Sequence, residues 1–467
     1  MKRGASGVAR CLIGSRTVAL ATRLVILLAI AAWPQSLPAA ESSFQDRPAG
    51  ESVEDLDSPL TRAIEERERM QTLFPWLKRR LQLFPNFVAD TELDLNFRSY
   101  YFPLKLPDGR DAYAWTAGGK FTFRSGWWRE RLQIGAGLYT SFPLAADDPE
   151  ALTGLLREDE RSFAVLGEAF LRLRWRDTEA TLYRHELDLP YVNRNDSRMA
   201  PNSFQGVTAK GIARGVPWLN RVDWVAGYLS DMRPRNEDRF ISMSERAGAV
   251  GRDEGMLLAG VQFRPLKNLS VGGYNYWVKD TFNTGYLAAD YLWKLNADWA
   301  TRFQGQYTHQ ASLGDELIGS FRTWVASGRV ATSFRGYTGW LAFSKTDDDE
   351  RIRSPYGSYA GYISLMQSDF NRAGERAWSV GLSAAPKAIP GWSGFFQYAR
   401  GDGGFDPLTF VEGAGEQEFD LTVDYEIKEG RWRGFWLRLR GSVLDTDHAE
   451  NTAWQVRVIL NYALPVL

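Results

Sequence analysis

Three histidines (His185, His309 and His448) and one cysteine (Cys11) are all that this 467-residue chain offers for imidazole or thiol chemistry. No histidine stands in a His-x-Ser arrangement, and His309 and Ser312 fall on opposite faces of an extended strand. A nucleophile, a base and an orienting group in mutual reach are therefore poorly supplied. Arginine is distributed differently. Arg172, Arg174 and Arg176 alternate along one segment, Arg438 and Arg440 along another, and Arg302 and Arg457 stand on polar faces of their own. A guanidinium is permanently charged, and its planar fork holds a carboxylate through two parallel hydrogen bonds. The chemistry on offer is anion holding rather than bond making, with no cofactor or metal required.

Side chains two apart share a face only on an extended strand, and period two governs the chain from Glu92 to its end. Glu92, Asp94, Asn96 and Arg98 alternate with Leu93, Leu95 and Phe97. Between residues 419 and 428, Asp420, Thr422, Asp424, Glu426 and Lys428 oppose Phe419, Leu421, Val423, Tyr425 and Ile427. Trp454, Val456, Val458, Leu460 and Tyr462 form one apolar stripe near the end. Counting such segments gives about 18 strands, from one near 92–101 to one near 452–463, with others near 165–176, 205–212 and 417–428. Ten tilted residues match the strand length that crosses a bilayer. Connections alternate between tight, as at 176–178 and 335–336, and long, as at 145–162 and 346–374. Short turns on one rim and long loops on the other describe an all-β fold, a transmembrane antiparallel β-barrel. The 18 Trp residues suit its two interfacial girdles.

The address agrees. Lys2, Arg3, Arg10, Arg16 and Arg23 precede an apolar core from Leu24 to Trp33, and Ala39 and Ala40 offer cleavage before Glu41. Residues 1–40 thus read as an export signal, its apolar run being too short to span a bilayer as a helix. Its loss removes five cations and no acid, taking the formal charge from -1 to -6. That leaves no global attraction for nucleic acid and removes Cys11 as well. Residues 41–90 form a periplasmic leader, flexible at first, with a helix from Ser58 to about Thr72. Its end, 74–87, reads as a short connector rather than a pore plug or a segment on the inner leaflet. Residues 91–467 are the barrel.

From Leu182 to Gly206 a strand runs into Asn, Asp, Arg, Ser and two prolines before alternation resumes at Phe204. That is too long for a hairpin turn. The Tyr, Met and Phe within it mark a loop that packs onto something, and the expectation is that it folds into the barrel and narrows its channel.

The residues LPYVNRNDSRMAPNSFQG at 189–206 resemble the third external loop of the OprD family of substrate-specific outer-membrane porins. DFNRAGERAWSVGL (369–382), IPGWSGFFQYARGD (389–402) and EQEFDLTVDYEIKEGRWRGFWLRLRGSV (416–443) are similar to that family's C-terminal half. The resemblance implies an 18-stranded barrel, monomeric or weakly trimeric, in the outer membrane of a Gram-negative bacterium. It would be set in lipid and lipopolysaccharide and inserted by the barrel-assembly machinery. It implies that the third and seventh loops, here near 187–204 and 346–374, fold inward to an eyelet. It also implies an arginine ladder on the lumen wall that guides small carboxylates, such as amino acids or organic and aromatic acids.

Strand parity gives that ladder Arg172, Arg174, Arg176, Arg302, Arg438, Arg440 and Arg457, with Lys120, Arg124 and Arg264 as further members. Asn193, Arg194, Asn195, Asp196, Ser197 and Arg198 are the expected eyelet residues. The bland alternatives are that the arginines pair with Asp420, Asp424 or Glu426, and that the asparagines cap turns. The run Asp347 to Glu350 reads as a solvated or cation-bound tip. A polysaccharide-export barrel is the nearer rival function, an outer-membrane hydrolase the distant one.

Overall fold

The computed structural model describes residues 72–146, 152–216, 219–406, 411–447, 449 and 451–467. The expected export signal, the expected leader up to residue 71 and the helix expected from Ser58 lie outside the described residues.

Eighteen antiparallel strands make one closed sheet. In chain order they are β1 Glu92–Lys105, β2 Asp111–Arg124, β3 Leu132–Ala146, β4 Phe163–Trp175, β5 Thr178–His185 and β6 Ser203–Val216. Then come β7 Leu219–Arg233, β8 Met256–Leu266, β9 Leu269–Val278, β10 Phe282–Lys294, β11 Trp299–Ser312 and β12 Arg322–Phe334. The last six are β13 Tyr337–Thr346, β14 Arg376–Ala384, β15 Trp392–Asp406, β16 Val411–Glu426, β17 Phe435–Thr446 and β18 Ala453–Pro465. Each pairs with its sequence neighbours, and β1 also pairs with β18, so no edge is left open. A two-residue ladder, Ile241–Ser242, adds to the end of β7.

Alternation sorts each strand between lipid and lumen. On β11, Trp299, Phe303 and Tyr307 face outward and are about 40% exposed, while Gln304, Gln306, Thr308 and Gln310 are buried on the inner face. This is the reverse of a soluble sandwich, and it follows from the solvent outside being hydrocarbon. His309 shares the outward face, directly opposite Trp324 of β12, so it has no route to a lumenal nucleophile. The tight turns form one rim. Between β12 and β13 the two turn residues Arg335 and Gly336 have φ of 47° and 86°, the left-handed pair that matches the twist of a hairpin. The opposite rim carries the long connections, of which 186–202 is the third and 347–375 the seventh.

The connector before the barrel holds two short helices, α1 Pro75–Leu81 and α2 Asn86–Ala89. It is tied to the short-turn rim: the Leu73 and Phe74 amides donate to the carbonyls of Pro465 (2.9 Å) and Val466 (3.2 Å). A third helix, α3 Met243–Ala247, lies in the fourth long connection, with Ser242 accepting the Glu245 amide as its cap.

The largest dry packing is inside the barrel, not between sheets. Tyr191, Val192, Tyr356 and Tyr359 from the two inward loops pack against Phe204, Tyr274, Tyr276 and Tyr286 of the wall. Each such side chain withdrawn from water contributes about 1.5–3 kcal/mol, more than the ~0.5–1.5 kcal/mol net of a typical hydrogen bond. Where these side chains pack, apolar burial is therefore the larger contribution to holding the loops in.

Candidate functional site

The third loop owes its shape to its own short polar side chains. The Asn195 amide donates to Asn193 Oδ1 (3.2 Å), Ser197 Oγ donates to Asn195 Oδ1 (2.8 Å), and the Ser197 amide donates to the Asn195 carbonyl (2.7 Å). Such bonds let Asn replace backbone partners in a tight bend, and Asn195 sits at φ 40°. Both asparagines thus serve the turn. Asn193 does more: its Oδ1 also accepts the Ser358 amide (2.9 Å) and hydroxyl (3.1 Å), which joins the third loop to the seventh. The Tyr191 hydroxyl meets Thr308 on β11 at 2.8 Å, and its ring makes edge contacts with Tyr286 and Tyr359 at 6.0 Å.

The tip of the seventh loop is held by carboxylates on the inner face of β16. Glu418 accepts the amides of Gln367 and Ser368, both at 2.8 Å, and Asp420 accepts that of Met366 at 3.0 Å. Glu416 accepts the Ser368 hydroxyl at 2.6 Å. Glu416 and Glu418 continue the polar face that begins at Asp420 in the sequence reading; extending that parity backward by four residues would have found them. In the run Asp347 to Glu350, the Asp348 side chain is 82% exposed and meets Lys345 at 2.5 Å, and Glu350 meets Arg353 at 3.1 Å.

Together the two loops close the lumen along β7–β12 and leave space on the other side. A cavity of about 1070 Å³ is lined by residues of β1–β7, β17 and β18, among them Arg98, Lys120, Arg124, Arg172, Arg174, Arg176, Arg194 and Asp196. Arg172 and Arg174 of β4 thus face this cavity, whereas β4 ends at Trp175 and Arg176 belongs to the turn, with φ 52°. Trp436 lines the same cavity, and Arg438 and Arg440 follow it at two-residue steps toward the long-loop rim. Arg438, Arg440, Arg457 and Arg198 do not line it, and neither do Arg302 and Arg264; Arg302 stands on β11, 3.6 Å from Asp290.

The arginines divide by partner. Arg172 and Arg174 share Glu179 (3.2 and 3.3 Å), and Arg174 also lies 3.9 Å over the Trp127 ring. Arg438 is bidentate to Asp424 (2.7 and 3.0 Å), Arg194 is 3.5 Å from Asp188, and Arg124 is 3.8 Å from Glu92. Lys120 bonds Glu168 at 2.6 Å and also Glu186, the first residue of the third loop, so it anchors the loop. Of the three carboxylates weighed as arginine partners, only Asp424 takes that role; Asp420 holds the seventh loop, and Glu426 pairs with Lys428. Asp196 is taken by Arg98 of β1 (2.7 and 3.3 Å).

Arg198, Arg235, Arg440 and Arg457 have only neutral acceptors among the described residues, as do Arg184, Arg233 and Arg246. Arg440 donates to Thr422 Oγ1 (3.0 Å), and Arg457 donates to Gln455 Oε1 (2.8 Å) and the Met366 carbonyl (3.2 Å). Arg198 donates to the carbonyls of Thr153 (2.7 Å) and Ser197 (3.0 Å). Arg235, from the fourth long connection, donates to Asn195 Oδ1 (3.1 Å) and Ser197 Oγ (2.5 Å). Arg198 and Arg457 both lie near the Phe102 ring, at 5.0 and 4.9 Å. Burial, then the charges of Arg235 and Arg457, holds the Arg198 guanidinium well below its usual range. Burial and then Arg457 push that of Arg235 down to about 10. These are cations crowded together with no carboxylate bonded to them, although Asp420 lies near Arg440 and Arg457, and the arrangement favours an incoming anion. Arg235 had no signal in the sequence because a loop residue has no parity to read. Arg98 had one, on the charged face of β1.

Among the imidazoles, His185 is enclosed, with Nε2 2.9 Å from Thr208 Oγ1 and Nδ1 3.0 Å from the Tyr183 carbonyl. His448 lies outside the described residues.

Comparison with known proteins places this architecture. A family model described as outer membrane porin, OprD family, matches residues 85–466. Porin D of Pseudomonas aeruginosa is 23% identical over 415 residues, which is 82% of this chain and 92% of that protein. The crystal structure of Pseudomonas aeruginosa OccK9 (OpdG) matches with a TM-score of 0.73 at 22% identity, covering 81% of this chain and 100% of the other. That of Pseudomonas aeruginosa OpdK with vanillate matches with a TM-score of 0.72 at 21% identity and the same coverage. The matched residues run from before β1 to beyond β18, and the chain belongs to the OprD family of outer-membrane porins, substrate-specific passive channels of the Gram-negative outer membrane.

Proposed function

We propose that this porin passes small carboxylate-bearing solutes, and that its arginines do the guiding. The observation that carries this reading is the group of four guanidiniums, Arg198, Arg235, Arg440 and Arg457, bonded to neutral acceptors only. The carboxylate-paired arginines lower on the wall, Arg172 and Arg174, make a shallower approach, because Glu179 already satisfies part of their charge. Arg176, beside them at the short-turn rim, continues that approach.

Two unit charges about 4 Å apart attract by roughly 4 kcal/mol at an effective dielectric constant of 20 and by about 1 kcal/mol in bulk water. A carboxylate entering the narrowed lumen thus gains more from each guanidinium than it would outside. Several sites of similar depth let it leave one for the next, and conduction requires that balance. Asp196 and Ser197, engaged with Arg98 and Arg235, position these arginines, and Arg194 flanks them on the cavity side. Vanillate, the compound in the OpdK structure, is an aromatic carboxylate, and it suggests the class of solute to try first.

Planar-bilayer recording tests the proposal. A channel that prefers anions and is blocked by small aromatic and aliphatic carboxylates, more than by the matching amides, supports it. Equal response to acid and amide would reject carboxylate guidance, and passage of an anionic polysaccharide would favour an export barrel.

A further inference from the structure

The last strand overruns its neighbour on the short-turn rim. Phe435, the first residue of β17, pairs with Tyr462, and the Ala463 amide still reaches the Gly434 carbonyl, but residues 465 and 466 extend past β17 altogether. Leu73 and Phe74 occupy that overhang, donating to the carbonyls of Pro465 and Val466. The segment that follows is therefore fixed in line with the barrel wall. It also precedes the residues matched by the family model, which begin at 85.

Its exposed face has one kind of chemistry. Leu77 and Leu81 of α1 turn inward, and Lys78 donates to the Thr91 carbonyl. Outward stand Leu73, Trp76, Leu83 and Phe84, all at least half exposed and Leu83 at 85%. Between them are Arg79 and Arg80, neither of which has a carboxylate partner among the described residues; Arg80 lies 5.9 Å over the Trp76 ring. Large apolar side chains in open water beside unpaired guanidiniums are costly in a soluble setting and favourable at a lipid headgroup layer. The same pairing recurs around this rim, with Arg129 over Trp128 (4.9 Å), Arg131 over Trp175 (4.5 Å) and Arg431 over Trp432 (5.2 Å). Trp432 in turn packs on Tyr462 of the overrunning strand.

We infer that residues 73–84 form a lateral foot lying on the periplasmic leaflet, where Trp76, Leu83 and Phe84 enter the headgroup boundary and Arg79 and Arg80 hold the phosphate of an anionic phospholipid. The partner is a phospholipid, because the cations are unpaired, the apolar side chains sit beside them, and the backbone bonds to β18 set the segment at the membrane edge.

The test uses the full chain in a Cys11→Ser background, with Leu83→Cys carrying an environment-sensitive fluorophore in phosphatidylethanolamine–phosphatidylglycerol liposomes. Quenching by a headgroup-region lipid nitroxide, with shielding from aqueous iodide, is the expected result. Iodide quenching without lipid quenching overturns the foot. Quenching by neither also overturns it, since the face is then covered by residues before 72 or by another protein. In parallel, Arg79→Gln with Arg80→Gln should lower the phosphatidylglycerol retained on the purified protein severalfold in native mass spectrometry and leave phosphatidylcholine retention unchanged. Unchanged phosphatidylglycerol retention removes the phosphate site. Heat-dependent gel mobility verifies that the barrel of each variant is folded.

Discussion

Arg440 and Arg457 stand directly opposite one another across the ladder between β17 and β18, two like charges on facing positions of the lumen wall. Such pairs are destabilising in an ordinary sheet. Here the wall keeps both and gives each a neutral acceptor. Replacing Arg440 and Arg457 together by Ala should therefore leave the barrel at least as stable while weakening carboxylate block. Loss of charge-assisted hydrogen bonds of ~1.5–3 kcal/mol corresponds to roughly tenfold to a hundredfold weaker block. Single-channel titration with a carboxylate blocker measures it, and undiminished block would take these two out of the conduction path.

Arg438 offers the contrast. Its carboxylate, Asp424, holds it bidentately, so Asp424→Asn should release a guanidinium rather than remove one. The expected outcome is stronger anion selectivity in reversal-potential measurements under a salt gradient. A shift toward cations would contradict the division of the arginines by partner.

The carboxylate of Glu418 accepts two backbone amides of the seventh loop. Glu418→Ala should free the loop tip at residues 366–368, giving noisier and larger conductance with the barrel still folded. A quiet channel of unchanged conductance would mean that the loop is held by its apolar contacts alone.

Asn193 and Gly357 meet where the two loops join. A Cβ on Gly357 would lie 2.6 Å from Asn193 Oδ1 and 2.8 Å from the Asn193 amide nitrogen, too close for either to stay. Gly357→Ala and Asn193→Ala should both widen the constriction, each at about 1–3 kcal/mol, and thermal unfolding together with conductance will show whether they do so to a similar extent.

Asp369, in the seventh loop, accepts the Ser364 hydroxyl at 2.5 Å, and burial pushes its carboxyl above the usual carboxylate range. A raised folded-state value means that the loop is favoured when this group is neutral. Its contribution to stability is complete below the ordinary aspartate range and is lost as pH rises through the raised value. Channel noise should accordingly grow over that window, and Asp369→Asn should flatten the profile. A variant with the same pH dependence as the parent would assign the effect to another group.

Period two, with the alternation of tight and long connections, was enough to read a membrane barrel, and the number of strands, about 18, is also what the family resemblance implies. Every strand segment named from alternation has its counterpart, including β5 at Thr178–His185, and differences lie at the ends, as where β15 continues to Asp406 and β16 begins at Val411. The faces of Arg172, Arg174, Arg438 and Arg440 were legible, since parity is a local property, but Arg176 falls in a turn and Arg302 and Arg264 stand away from the cavity. The partners of the arginines were not legible. Arg172 meets Glu179 and Arg438 meets Asp424 only once hairpin register is set, and Lys120 turns from wall charge to loop anchor because Glu186 arrives from another connection. Arg235 escaped altogether, for a reason that holds for any loop residue: its place depends on how 22 residues between β7 and β8 fold, which no periodicity reports.

The tyrosine packing of both loops against β8–β11 has a consequence for how a solute travels. That side keeps its ladder arginine, Arg302, against Asp290, whereas Arg440 and Arg457 on the opposite flank are bonded to neutral acceptors only. Under the proposed carboxylate guidance, a molecule with one carboxylate would be turned with its acid group toward β17 and β18 and its remainder toward the tyrosine-packed loops. Shape would then be judged with the acid already placed, so two isomers differing only in where a substituent sits relative to that acid would be told apart, as two keys are by their teeth once the bow is aligned.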